Sequence, residues 1–170
     1  MPVVTAIAKA KGDDAALTWL KAVKSNAAGH IYPDNETITS QVNAGQVGLG
    51  IINQYYWYRE EAAVGRASMH SAIAYFAPHD PGYVIDVSGA AVLASSHHQA
   101  AAQRFMAFLA SRAGQQIISH SDSFEYPIDS GVTTSQHETP FNQLQPNSIS
   151  VAELGDGAAA TALLQKVQLL

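Results

Sequence analysis

The 170-residue chain contains no cysteine. That absence removes disulfides, zinc–thiolate sites, iron–sulfur clusters and thiol nucleophiles together, and it fits the cytosol as well as a bacterial periplasm. Charge is sparse too: 14% of residues are charged, the net charge is −5 and no basic run occurs. Affinity for nucleic acid is mostly phosphate neutralisation by clustered Lys and Arg, so nucleic acid is excluded as a partner. No apolar stretch reaches the roughly 18–20 residues of a membrane-spanning helix, and no membrane insertion is expected. Gly-x-Ser-x-Gly elbows, Walker loops and dinucleotide fingerprints are missing. A signal peptide is missing as well. Met1-Pro2-Val3-Val4 runs at once into helical pattern with no cap or entry loop, which reads as a start imposed on a longer parent.

What is present suffices for a core, since 47% of the residues are hydrophobic and the length fits one domain or a little more. Residues 4–10 are apolar and Ala-rich, like the tail of a helix. Gly12 breaks the pattern, Asp13 is placed to cap the next helix and Asp14 suits its first turn. Ala16, Leu17, Leu20 and Val23 then recur at helical spacing until Asn26 and Gly29. Asn35 is read as the N-cap of a short helix to about residue 43. The apolar run 47–52 reads as a buried strand, followed by a helical pattern from Tyr55 to Gly65. Further strands are expected at 73–77, 83–87 and 90–94, and helices at 97–110, 113–120 and 158–168. The stretch between 129 and 156 reads as irregular. Strands alternating with helices imply an α/β fold with a mixed sheet flanked by helices.

The densest chemistry is Asn53-Gln54-Tyr55-Tyr56-Trp57-Tyr58-Arg59, where three of the seven tyrosines and one of the two tryptophans fall together. A buried Tyr needs a partner for its hydroxyl, and adjacent phenols double that demand. One reading is an aromatic packing cluster with exposed hydroxyls. The other is a pair of hard anionic oxygen ligands for a cation. Free tyrosine titrates near pH ~10, so a phenolate at neutral pH needs a bound cation, whose charge overturns the usual order. A helix N-terminus adds a smaller push. Adjacent side chains diverge by about 100° inside a regular helix, but at a loop-to-helix junction they can converge.

Residues 49–58 resemble the ligand-bearing segment of periplasmic ferric-ion-binding proteins, the substrate-binding components of iron(III) ABC importers. The likeness extends to Trp19-Leu20 within 12–24, to Asp80-Pro81-Gly82, to Ser88-Gly89-Ala90-Ala91-Val92, to 105–116 and to Glu125-Tyr126-Pro127. The resemblance implies a periplasmic-binding-protein-like lobe of the type II, transferrin-like kind, a fragment of a two-lobed protein. In those terms residues 1–87 are the core of the C-terminal lobe carrying the tyrosine site. Residues 88–124 are a crossover strand and helices that belong to the other lobe in the parent, and 125–170 are a return segment with a C-terminal helix. The resemblance further implies that Tyr55 and Tyr56 ligate Fe(III). Asn35 and Asn53 would help hold a synergistic anion, phosphate or carbonate. The partner would be an ABC permease of the inner membrane, the location periplasmic, the parent monomeric, and the role binding without turnover. The family's remaining iron ligands, a His and a Glu, come from a lobe this chain does not contain, so the site would be an open half-site.

For Asn35 the plain alternative is a helix cap, and for Asn53 a turn residue. The same fold binding a phosphonate, a thiamine-like cation or a polyamine stays open, with the tyrosines stacking on an organic ligand. So does a hydrolase using a histidine. The seven histidines are His30, His70, His79, His97, His98, His120 and His137, and no His-x-x-x-His pair occurs among them. They read as surface residues, with His79-Asp80 a possible pH-sensitive contact. Glu60-Glu61 reads as a solvated helix face.

Overall fold

A computed structural model describes residues 1–134 and 138–170, so His137 lies outside the described residues. Eight α-helices occur among them: α1 (Pro2–Lys11), α2 (Asp13–Ala27), α3 (Asn35–Asn43), α4 (Gln54–Val64), α5 (Gln99–Leu109), α6 (Arg112–Ser119), α7 (Val151–Leu154) and α8 (Ala158–Lys166). The chain divides into two compact units. One comprises Met1–Ile31, Ala74–Ser88 and Gln145–Leu170; the other comprises Tyr32–Ile73 and Gly89–Leu144.

The first unit is built on three helices whose buried positions fall at helical spacing. Ala16 and Leu20 on α2 meet Val4 of α1, and Ala160 and Leu163 of α8 close the cluster with Val167. Pro2 opens α1 at a position where its missing N–H costs nothing. Asp13 and Asp14 lie in the first turn of α2, where the helix dipole favours negative charge; the N-cap itself is Gly12. At the other end of α8, the Lys24 ammonium donates to the carbonyls of Val167 (2.8 Å) and Gln168 (3.2 Å). It thereby satisfies acceptors that a helix end leaves open.

In the second unit α3 packs on α4. Ser40 Oγ donates to Glu60 Oε2 (3.0 Å), and Arg59 pairs with Glu36 (3.8 Å). The cap of α3 is Asp34, whose carboxylate accepts from the Thr37 N–H (2.7 Å), so Asn35 is the first helical residue instead of the cap. Asn43 Oδ1 accepts from the N–H groups of His70 and Ser71, which ties the end of α3 to the segment after α4. Helix α5 starts two residues later than expected, and Ser96 accepts from the His98 N–H just ahead of it.

The expected mixed sheet is not found: the described residues contain no β-strand, and the α/β reading is corrected to helices joined by irregular segments. A strand exists only as one side of a hydrogen-bonded ladder. The segments read as strands instead make isolated links, such as His79 N–H to Gln145 O (2.9 Å) and Asn147 N–H to Tyr83 O (2.8 Å). The run 47–52 bends at its Gly-containing start, and Leu49 is 79% exposed, so it is not a buried strand. Gly50 lies against α3, where a Cβ would collide with Ile38 Cγ2. Apolar runs favour burial, but they do not supply the neighbour that a ladder needs.

Candidate metal centre

The site grows from the start of α4. Asn53 precedes the helix with extended backbone (φ −74°, ψ 143°) and makes no side-chain cap. Its amide is therefore available to turn outward, and Nδ2 donates to the Tyr55 hydroxyl at 3.2 Å. Tyr55 and Tyr56 lie in the first turn with ring centroids 4.3 Å apart and planes inclined at 41°. The junction brings two consecutive phenols together where a regular helix would spread them.

Burial holds the Tyr55 phenol above its ordinary value. The neighbouring Tyr56 hydroxyl pushes the same way, the Asn53 amide opposes, and Tyr56 and Glu125 add smaller electrostatic contributions that raise it. Tyr55 is thus phenolic at neutral pH, and only a strong cation would draw out its phenolate. Arg59, one turn on, lays its guanidinium over both rings, 4.8 Å from the Tyr55 centroid and 5.6 Å from that of Tyr56. Glu36 on α3 holds the other side of that guanidinium.

The next two aromatics behave differently. Trp57 donates its indole N–H to Ser71 Oγ (3.1 Å). Tyr58 is 3% exposed, stacks on Phe124 with centroids 6.0 Å apart, and accepts from the Thr139 N–H at 3.4 Å. Glu61 is buried on the same face, not solvated, and pairs with Arg66 (3.6 Å). Beside it lies a hollow of about 330 Å³ lined by Tyr58, Glu61, Ala62, Arg66, Asp122 and Phe124. The tyrosine pair is not part of that hollow.

Of the residues expected at the site, the structure gathers Tyr55, Tyr56 and Asn53. Asn35 sits half-buried at the first position of α3, and no hydrogen bond joins its side chain to the other three among the described residues. Two neighbours were not anticipated. Arg59 was legible, since positions three and four apart share a helix face. Glu125, 70 residues from Tyr55, leaves no local signal. Among the described residues, no group of three His, Cys, Asp or Glu is gathered to hold a metal ion. His79 contacts the Pro146 carbonyl through Nδ1 (3.1 Å). His120 faces Ser119 Oγ and the Gln116 carbonyl.

The profile of the bacterial extracellular solute-binding proteins matches residues 3–121, and the chain belongs to that family. It is 37% identical to the Fe(3+)-binding periplasmic protein of Serratia marcescens, over 89% of this chain and 44% of that protein. It is 35% identical to the major ferric iron-binding protein of Neisseria meningitidis, over 96% and 48%. Among solved structures it is similar to iron-bound HitA from Pseudomonas aeruginosa, with a TM-score of 0.87 and 40% identity over 98% of this chain and 53% of that one. The chain spans about half the length of the curated relatives it matches.

Proposed function

We propose that this chain carries half of a ferric-iron site, in which Tyr55 and Tyr56 bind Fe(III) as phenolates. A synergistic anion, phosphate or carbonate, completes the coordination beside Asn53 and Asn35. The protein is then the solute-binding component of a periplasmic ABC importer, handing iron to an inner-membrane permease without turnover. The observation that carries this reading is the convergence of two adjacent phenols at the start of α4 with an amide on one of them. Oxygen-only donors suit a hard trivalent ion. Similarity to two proteins named for ferric-iron binding supports the choice of metal.

The chemistry follows from the burial. Tyr55 must release its proton as the metal arrives, because burial raises its phenol above the ordinary value. Backbone N–H groups at the start of α4 and the Arg59 guanidinium supply positive charge that an anion can meet. Arg59 also argues against an organic solute stacked on the tyrosines, because its guanidinium already lies over both rings.

Titration of the full chain with ferric citrate and phosphate tests the proposal. We expect a visible phenolate-to-iron charge-transfer band. Tyr55→Phe and Tyr56→Phe should each remove most of it, and each should cost more than the roughly 10–100-fold in affinity typical of losing an outer-shell partner. A colourless wild-type mixture, or near-normal binding in both variants, sinks the reading.

A further inference from the structure

Glu61 is a buried carboxylate that the tyrosine pair does not use. It follows Tyr58 by three positions on α4, so the two share the face that turns inward. The helix ends at Gly65, which takes φ 84° and donates its N–H to the Glu61 carbonyl (2.9 Å). Arg66 follows directly and reaches to 3.6 Å from Glu61 Oε1, outside hydrogen-bonding distance. The Glu61 side chain is 9% exposed and that of Arg66 82%. Oε1 is itself buried and accepts no hydrogen bond among the described residues. A buried charge is costly unless it is both paired and hydrogen-bonded, and a solvated guanidinium at this distance offsets little of that cost. Glu61 therefore faces the hollow in want of a donor. At about 330 Å³ the hollow exceeds the roughly 30 Å³ of one water and reaches the size of small-molecule sites. Its inner wall is the buried rings of Tyr58 and Phe124, and its rim is Ala62, Arg66 and Asp122, all exposed. The Phe124 wall is held in place: Gln54 Nε2 donates to its carbonyl (3.3 Å), and Ser123 Oγ to that of Ile118 on α6 (3.1 Å).

We infer that this hollow binds a small organic monocation, a primary ammonium carried on a short apolar tail. The ammonium donates to Glu61 Oε1, with Asp122 as its second negative neighbour, and the tail lies against the Tyr58 and Phe124 rings. Two carboxylates against one guanidinium leave the lining one negative charge, which a monocation neutralises. The three N–H donors of an ammonium suit an acceptor that lacks any, and the aromatic faces attract a cation further. A metal ion is the poorer match, since no group of three His, Cys, Asp or Glu is gathered here or elsewhere among the described residues. Tyr55 and Tyr56 do not line the hollow, so the inference stands independently of the iron reading.

The test is titration of the full chain, free of iron, with butylammonium chloride at constant ionic strength, following the backbone amide resonances. Saturable shifts are expected at Glu61, Ala62, Arg66, Asp122 and Phe124, and neither butanol nor butyrate should reproduce them. Glu61→Gln should weaken binding by at least about tenfold, as the loss of a charge-assisted hydrogen bond does. Arg66→Gln should strengthen it, because the guanidinium no longer competes for Glu61. An absence of saturable shifts in the wild type overturns the inference and leaves the hollow to water. Butanol binding as well as butylammonium overturns it too, since the hollow would then recognise only an apolar tail. Unchanged affinity in Glu61→Gln removes the carboxylate from the site, and weaker binding in Arg66→Gln refutes competition for it. Should Glu61→Gln fold poorly, Asp122→Asn at the exposed rim decides the matter: binding should weaken severalfold, and undiminished affinity there overturns the charge argument.

Discussion

Tyr55 and Tyr58 stand almost one turn apart on α4, and their hydroxyls meet opposite conditions. The Tyr55 hydroxyl borders a second phenol and an amide, while that of Tyr58 is sealed in the interior beneath Thr139. Removing the buried hydroxyl should cost stability and leave the iron chemistry alone. For Tyr58→Phe we expect a loss of about 0.5–1.5 kcal/mol, the net worth of an ordinary buried hydrogen bond, read from urea unfolding. The charge-transfer band should keep its position and intensity. A band lost in Tyr58→Phe would mean that the Tyr58 hydroxyl takes part in the metal site. The sequence announces four adjacent aromatics but not this division between them. Helical geometry leaves Tyr58 only about 60° round from Tyr55, and which of the two is buried depends on Phe124 and Thr139, 66 and 81 residues further along. The adjacent pair was legible because a junction before a helix is a local feature. The influence of Glu125 on Tyr55 was not, because it comes from 70 residues further along the chain.

At the scale of elements, helix existence was well marked, whereas caps and pairings were less so. Asn35 was read as the cap, yet it is Asp34 that holds the start of α3. Hydrogen bonds from the Thr37 hydroxyl and backbone N–H keep its carboxyl below the usual range, with only a small opposing effect of burial. Because the folded value is depressed, the stabilisation is fully present above the ordinary carboxylate value and is lost as pH falls through the lowered one. The Thr37 amide resonance should therefore titrate below the normal aspartate range, and this step should disappear in Asp34→Ala. A step at the ordinary value would deny the cap. Helix α7 was missed altogether, although Ser150 and Glu153 form a capping box whose S-x-x-E spacing is plain in the sequence. The corner between α5 and α6 makes another element-level demand. A Cβ at Gly114 would collide with the Phe108 carbonyl oxygen and crowd that of Leu109. Alanine is the better helix former by about 1 kcal/mol, but overpacking costs roughly 1–3 kcal/mol. Gly114→Ala should therefore shift the urea midpoint downward, and an upward shift would show that the corner relaxes freely. Strands failed for a different reason: the runs 73–77 and 83–87 carry the right residues, but a ladder belongs to two segments and a sequence pattern describes one.

Across the whole molecule, the apolar residues implied by composition are unevenly covered. The cluster of Val4, Ala16, Leu20, Ala160, Leu163 and Val167 gathers in the unit that lacks the Tyr55–Tyr56 pair. In the other unit α5 buries no residue at all. Phe105 is 60% exposed and Ile117 on α6 is 62% exposed, with Phe108 exposed as well. Phe105, Phe108 and Leu109 recur at helical spacing along α5, as an apolar stripe does. A stripe states that a face favours cover; it does not name the cover, and this chain spans only about half of its relatives. Contiguous exposed apolar surface of this kind is uncommon on a self-contained monomer. It should bind a hydrophobic dye such as anilinonaphthalene sulfonate, with enhanced and blue-shifted emission. Phe105→Ser combined with Phe108→Ser should remove most of that emission while the ferric charge-transfer band stays, because neither ring contributes to the tyrosine site. Emission that survives the double substitution would mean that the dye reports a loosened core instead, and the parallel loss of far-ultraviolet helix signal would identify that case.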